Sequence, residues 1–147
     1  MVINVSVNVS KIDNMGAKTR AGVLEYLKTG ADRGFATYLD RMPVDRGNMQ
    51  QNSYSPEIDG ERVRYGTRNI PYAEAIDEGT PAYTPPLTPL KEWGKRVLGS
   101  EEAGVAVWHK IRERGIDPQP FSQPAREDQL RWYRSHSASE FIDREFR

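Results

Sequence analysis

The proline at position 43 constrains this chain more than any other residue, because it separates a segment with helical periodicity from one with the periodicity of strands. Before it, apolar residues recur at the three- and four-residue spacing of one helix face from Ala17 to Met42. A proline disfavours helical geometry at the preceding residue, so we predict that the helix ends at Met42. The run Asp45-Arg46-Gly47 then supplies turn chemistry, with Gly47 at a positive φ.

Strand patterns lie on both sides of this helix. Residues 3–9 alternate between β-branched and small polar side chains, which predicts a half-buried strand or arm within residues 1–10. After the turn we predict a strand from Met49 to Tyr54 and another over residues 62–67, joined by a hairpin at Asp59-Gly60. The expected fold class is α+β: an antiparallel sheet with a long N-terminal helix and additional helices packed on it.

The start of the long helix and its continuity are two separate questions for the sequence. Asp13 and Asn14 are good N-cap residues for its start. Four glycines weaken it, each by about 1 kcal/mol relative to alanine. The helix is therefore either held by packing or broken near Thr29-Gly30; the glycines are Gly16, Gly22, Gly30 and Gly34.

The second half of the chain is punctuated by proline and glycine. Residues 72–76 suit a short helix or a third strand, and we favour a helical turn closed by Gly79. We then predict an extended proline-rich connection and a helix from Pro89 that carries Leu90, Trp93, Val97 and Leu98. A further helix is predicted from Glu101 to Arg114, with Ser100 as cap and Gly115 as stop. Residues 126–134 form a last helix or strand. This predicts one domain over residues 1–134, with a proline-bounded helical insertion at 81–120 and a flexible end at 135–147.

Composition narrows the function classes. Lys+Arg and Asp+Glu both number 21, so the summed charge gives no general attraction to nucleic acid or to anionic lipid. The chain has no cysteine and two histidines, which disfavours disulfides, thiolate chemistry and most zinc sites. The start resembles no signal peptide and no stretch is apolar enough to span a membrane, so we expect a soluble, unsecreted protein with no membrane partner.

Candidate catalytic groups are weak. His136 lies between two serines and His109 lies beside Trp108, and neither pattern supplies an oriented base. The neighbouring carboxylates Asp77-Glu78 and Glu101-Glu102 are typical of caps and solvated faces, and Gly94 and Gly99 lack the context of a phosphate-binding loop. We therefore expect no catalytic residue, no cofactor and no metal.

Arginine and aromatic residues are the better candidates, because both types carry interface energy. Arg62, Arg64 and Arg68 alternate around Tyr65, a pattern typical of the wet face of a strand, of an ion-paired interface, or of a surface for a nucleic-acid backbone. An alternative reading is a small RNA-acting enzyme or toxin that uses these arginines with His109. The candidate interface residues are Arg46, Arg62, Arg64, Asp77, Tyr83 and Trp93.

Three short stretches, taken in order, resemble a known family. They are residues 43–49 (PVDRGNM), 72–80 (YAEAIDEGT) and 118–125 (PQPFSQPA). Their pattern is similar to that of the tail-completion, or tail-to-head joining, family of long-tailed double-stranded-DNA viruses and prophages. This chain has Arg46, Met49, Asp77 and Ser122 where that family usually has threonine, leucine, glutamate and leucine. The motif residues are Pro43, Asp45, Gly47, Tyr72, Ala73, Glu78, Gly79, Thr80, Pro120, Phe121 and Pro124.

The resemblance implies a small α+β subunit in the neck of a virion, assembled in the host cytoplasm without a cofactor. It implies a hexameric ring of identical copies that contacts the tail tube or terminator protein on one side and the head-completion or connector protein on the other. Genomic DNA would pass through the lumen without specific binding. We expect the sheet edge or the N-terminal strand to pair across subunits, and the 79–90 segment to reach an adjacent ring. A tail terminator or tube-type subunit is a further alternative.

Overall fold

The computed structural model describes residues 3–8, 15–59 and 62–147. The elements in chain order are β1 (Ile3–Asn8), α1 (Ala17–Arg41), α2 (Asn48–Gln51), β2 (Ser53–Asp59), β3 (Arg62–Thr67), α3 (Ala73–Glu78), α4 (Leu87–Trp93), a π-helical turn (Gly94–Leu98), α5 (Glu101–Arg114), α6 (Ser122–Ser135) and α7 (Ala138–Glu145). The α+β prediction is confirmed.

The chain divides into two compact units. We call Met1–Pro71 with Pro120–Arg147 the sheet unit, and Tyr72–Gln119 the hairpin unit. One domain over residues 1–134, with a helical insertion at 81–120, stays a prediction. The hairpin unit contains nearly all of the predicted insertion at 81–120 and begins earlier, at Tyr72.

The sheet has three antiparallel strands in the order β1-β3-β2. Val5 lies opposite Tyr65, and Ile58 lies opposite Val63. The strand predicted to begin at Met49 begins instead at Ser53, because residues 48–51 form the short helix α2 and Met49 is buried there. β3 has its predicted bounds, and it pairs with β2 as expected; Gly60, at the tip of that hairpin, lies outside the described residues.

The helix α1 runs without a break and ends where Pro43 predicts, with Met42 in an extended conformation. Its N-cap is Gly16, and the predicted caps Asp13 and Asn14 lie outside the described residues. The turn that follows places Gly47 at a φ of 76°, as expected.

The glycines of α1 are explained by packing rather than by a break at Thr29-Gly30. A Cβ at Gly22 would lie 2.6 Å from the Cα of Ile142, which belongs to α7. A Cβ at Gly30 would overlap the ring of Tyr133 from α6. Three buried glycines therefore let α1 approach its neighbours more closely than any other residue type allows; the third is Gly34, which the Tyr65 hydroxyl approaches.

The core of the sheet unit is aromatic. Tyr38 packs edge-to-face on Tyr65 and on Phe121, with ring centroids 5.8 Å and 5.1 Å apart. Its hydroxyl hydrogen-bonds the Thr67 hydroxyl at 2.9 Å, while the Tyr65 hydroxyl donates to Gln129 Oε1 at 2.9 Å. Hydroxyls this deeply buried need such partners, because an unpaired polar group in the core costs about 1–3 kcal/mol.

The C-terminal end is helical, which corrects the prediction of a flexible segment at 135–147. Residues 122–135 form α6, settling the choice between helix and strand. Ser137 then caps α7, and Phe141 is 7% exposed. Phe141 contacts the ring of Tyr26 in α1, with ring centroids 5.7 Å apart, so α7 docks on α1 through an apolar face. This face is hard to recognise in the sequence because charged residues surround Phe141.

In the hairpin unit, α4 begins at Leu87, two residues before the predicted Pro89, and continues into the π-helical turn. The helix α5 has its predicted bounds: Ser100 Oγ accepts a hydrogen bond from the Ala103 amide at 3.1 Å, and Gly115 follows its end at a φ of 82°. The helical turn closed by Gly79 is confirmed as α3.

Candidate interaction surfaces

The residues of the three motif stretches serve turns and packing, and they lie in both units. Around the first stretch, Pro43 and Asp45 precede the left-handed Gly47, and Met49 is buried. In the third stretch, Phe121 and Ala125 are fully buried, while Pro120 is exposed and Pro124 half-buried. The half-buried Ser122, where the family usually has leucine, does not prevent that burial.

The second stretch lies in the hairpin unit. Ala73 is buried, whereas Tyr72 and Glu78 are exposed. Gly79 ends α3 at a φ of 74°. The Thr80 amide donates to the Ile116 carbonyl at 2.9 Å, and this bridge fixes the start of the proline-rich connection next to the end of α5.

The predicted interface residues divide by exposure. Arg46, Arg62 and Tyr83 are exposed, and Arg64 and Trp93 are half-buried. Asp77 is only 5% exposed, which corrects its prediction as a surface contact of the subunit.

The basic–aromatic surface on β3 differs from the predicted one. Tyr65 points into the core, so it does not interleave with the arginines. Tyr54 of β2 is the aromatic partner instead, since the Arg68 guanidinium lies over its ring at 3.7 Å. Arg64 forms an ion pair with Asp59, and Arg68 forms one with Glu57, so carboxylates of the same sheet neutralise both guanidinium groups.

The histidines contact tryptophans. His109 is exposed on α5, with its ring centroid 5.0 Å from that of Trp108. His136 stacks on Trp132 at 4.3 Å, and its Nδ1 lies 3.0 Å from Ser135 Oγ. Within the described ranges, no group of three acidic or histidine side chains is placed to hold a metal ion.

The carboxylate and glycine candidates have structural roles. Glu101 and Glu102 lie in the first turn of α5, and Lys91 pairs with Glu101 at 3.2 Å. Gly94 packs against the backbone of α5, and Gly99 takes a φ of 88° at the end of the π-helical turn.

A groove runs beside β1, which forms one edge of the sheet. It measures about 670 Å³ and lies between β1 and α6. Its walls are Asn4, Val5 and Ser6 on the strand, with Ser122, Gln123, Arg126, Glu127 and Leu130 on the helix. Sequence reasoning predicted the edge strand but missed this groove, because α6 follows the strand by more than a hundred residues and its helical nature was open.

A second surface lies in the hairpin unit. Ala73, Pro85 and Ile111 are its buried apolar side chains, whereas five large apolar side chains are exposed: Tyr72, Tyr83, Leu87, Val97 and Leu98. Val97 and Leu98 are 47% and 50% exposed at the junction between the two long helices of the unit, followed by the left-handed Gly99. We call Val97 and Leu98, which are adjacent at this junction, the apolar patch of the hairpin unit.

The chain gives no match to protein-family models, to curated proteins or to solved structures. Among the residues described, no helix is both long enough and apolar enough to cross a bilayer.

Proposed function

We propose that this chain is a structural virion protein of the neck, a ring subunit that completes the tail of a long-tailed virus and joins it to the head connector. The proposal starts from the three motif stretches and their order in the sequence. It is supported by the α+β fold, since that is the architecture the resemblance implies.

The observation that carries the proposal is the poor core of the hairpin unit. A unit that exposes five large apolar side chains while burying three smaller apolar ones gains little from its own packing. Exposed apolar patches on a subunit are typical of surfaces that another protein covers. A ring subunit meets this requirement because a patch on one copy meets a different surface of the next copy until the rotation closes.

The proline-rich connection fits the same role. Residues 80–86 contain Pro81, Pro85 and Pro86, and the Trp108 indole donates to the Pro85 carbonyl at 2.8 Å. Prolines and this hydrogen bond reduce the freedom of the segment before binding, so less entropy is lost when a partner docks on it. We propose that this segment contacts the adjacent ring, which is formed by the tail tube or terminator protein or by the head-completion protein, whereas the apolar patch contacts the next copy within the ring.

The balanced charge of the chain is compatible with a ring through which DNA passes. The chain has equal numbers of basic and acidic residues, and Arg64 and Arg68 are paired with carboxylates. A strongly basic lumen would hold the duplex by counterion release, whereas a neutral one lets it pass.

Deletion of the gene in a lysogen that carries it tests the proposal. We expect induced cells to produce DNA-filled heads and free tails that do not join, and the wild-type gene supplied in trans to restore infectious particles. We also expect mass spectrometry to find the chain in purified particles. Normal particles from the deletion strain would refute the proposal, and so would RNA cleavage by the purified chain, which would support the RNA-acting alternative.

Two variants connect this test to the apolar patch. Val97→Asp/Leu98→Asp introduces charge at two exposed apolar positions and should abolish rescue. Lys95→Gln, at an exposed position in the same turn, removes one positive charge without touching the patch and should rescue normally. Circular dichroism of both purified variants checks that they fold.

A further inference from the structure

The two edges of the sheet are unlike. The β2 edge carries three features that protect strands from pairing with other chains: Pro56, which has no amide hydrogen, a register shift between Tyr54 and Glu57, and acidic residues at Glu57 and Asp59. The β1 edge carries none of them over its described residues 3–8, which are uncharged, free of proline and paired in continuous register with β3.

The outer backbone groups of β1 are available for pairing. Every second residue of an edge strand directs its amide and carbonyl away from the sheet. Within the described part of the chain, the backbone hydrogen bonds of residues 3–8 all belong to the pairing with β3. The outer edge opens on the groove of about 670 Å³, where Leu130 of α6 is 41% exposed.

We propose that β1 pairs antiparallel with β1 of a second copy about a two-fold axis, extending the sheet from three strands to six. The β1 strand of a second copy is a suitable partner, because two uncharged edges meet without like-charge repulsion. The β2 edge of another copy is a poor partner for the reasons given above. Leu130, at the groove wall, would be covered by the added strand.

The alternation along β1 restricts the register. Val5 is 8% exposed, whereas Asn4 and Ser6 are exposed on the other face. The buried face continues across the axis only if odd-numbered residues oppose odd-numbered ones. We expect a register centred on residue 4, 5 or 6. In these registers residue 4 lies opposite residue 4 of the partner, residue 4 lies opposite residue 6, or residue 6 lies opposite residue 6. This contact does not depend on the proposed function, because it uses the sheet unit and not the apolar patch.

Cysteine cross-linking tests the pairing on an otherwise unmodified full chain, since the chain has no cysteine of its own. Opposing residues of an antiparallel pair have Cα atoms about 4.5–5.5 Å apart, which suits a disulfide. The variants are Asn4→Cys, Ser6→Cys and, as matched control, Ser55→Cys at an exposed position of the β2 edge. Each is oxidised mildly alone, the first two are also mixed, and dimers are read on a non-reducing gel.

We expect rapid disulfide dimers in at least one of the three arms, namely Asn4→Cys alone, Ser6→Cys alone or the two mixed, and slow or absent dimers with Ser55→Cys. Asn4→Lys/Ser6→Lys, which adds like charges to the exposed face of the edge, should weaken dimerisation at least about tenfold by analytical ultracentrifugation while keeping the circular dichroism spectrum. Cross-linking no faster than in Ser55→Cys in all arms would overturn the proposal, as would unchanged dimerisation of the lysine variant. The β1 dimer should still form in the Val97→Asp/Leu98→Asp variant. A failure of β1 pairing can therefore be distinguished from a failure of the proposed ring assembly.

Discussion

Substitution of Gly22 by alanine should destabilise the protein, although alanine is the better helix former. Alanine in a helix interior is favoured over glycine by about 1 kcal/mol. At Gly22 the new methyl carbon would lie 2.6 Å from the Cα and 2.8 Å from the amide nitrogen of Ile142, both backbone atoms of α7. A backbone cannot rotate away as a side chain can, so α7 must shift by roughly 1 Å to restore van der Waals contact.

The magnitude follows from two opposing terms. Overpacking in a well-packed contact costs about 1–3 kcal/mol. If α7 undocks instead, the upper bound is the lost burial of Phe141, about 1.5–3 kcal/mol. After the helix preference of about 1 kcal/mol is subtracted, Gly22→Ala should reduce the free energy of unfolding by up to about 2 kcal/mol.

Urea unfolding followed by circular dichroism measures this difference. The control is Ala36→Gly at an exposed position of the same helix, which should cost about 1 kcal/mol from helix preference alone. Limited proteolysis should also cleave the end of Gly22→Ala faster than that of the wild type, because α7 is less firmly docked. A Gly22→Ala variant that is more stable than the wild type would refute the docking of α7 on α1.

Three further predictions concern the sheet unit. Tyr65→Phe removes the donor to Gln129 Oε1 and should cost about 1–3 kcal/mol in urea unfolding; an unchanged midpoint would contradict the buried hydrogen bond. Burial raises the pKa of Tyr133 to about 12, so the unfolded chain ionises first and stability should fall as pH rises from 10 to about 12; Tyr133→Phe should flatten this fall in thermal unfolding. Gly47→Ala places a side chain at a φ of 76° with open space around it, and calorimetry should show a loss of about 1–2 kcal/mol; no loss would mean that the turn differs.

Local signals predicted much of the fold. The proline at position 43 marked the end of α1, and serine at position 100 with glycine at 115 marked both ends of α5, because caps and stops act over one or two residues. The hairpin of β2 and β3 followed from alternation and a turn signal in the same way.

Non-local packing decided what the sequence left open or predicted wrongly. The glycines of α1 looked like weak points, but their partners are Ile142 and Tyr133, more than a hundred residues away. The end of the chain looked flexible because charged residues surround Phe141, whose burial depends on α1. The groove beside β1 was missed for the same reason, since one wall is strand and the other is a helix distant in sequence.

The central claim is that this chain is an unfinished piece of a ring, and native mass spectrometry of the purified protein tests it most directly. With a chain mass of 16.7 kDa, we expect a closed assembly at six times that mass, or at twelve times that mass where β1 pairing joins two rings, seen as rings in negative-stain images. Val97→Asp/Leu98→Asp should lose this species, and Lys95→Gln should keep it. Wild-type protein that stays monomeric or dimeric at every concentration, with or without neck and tail partners, would contradict the account.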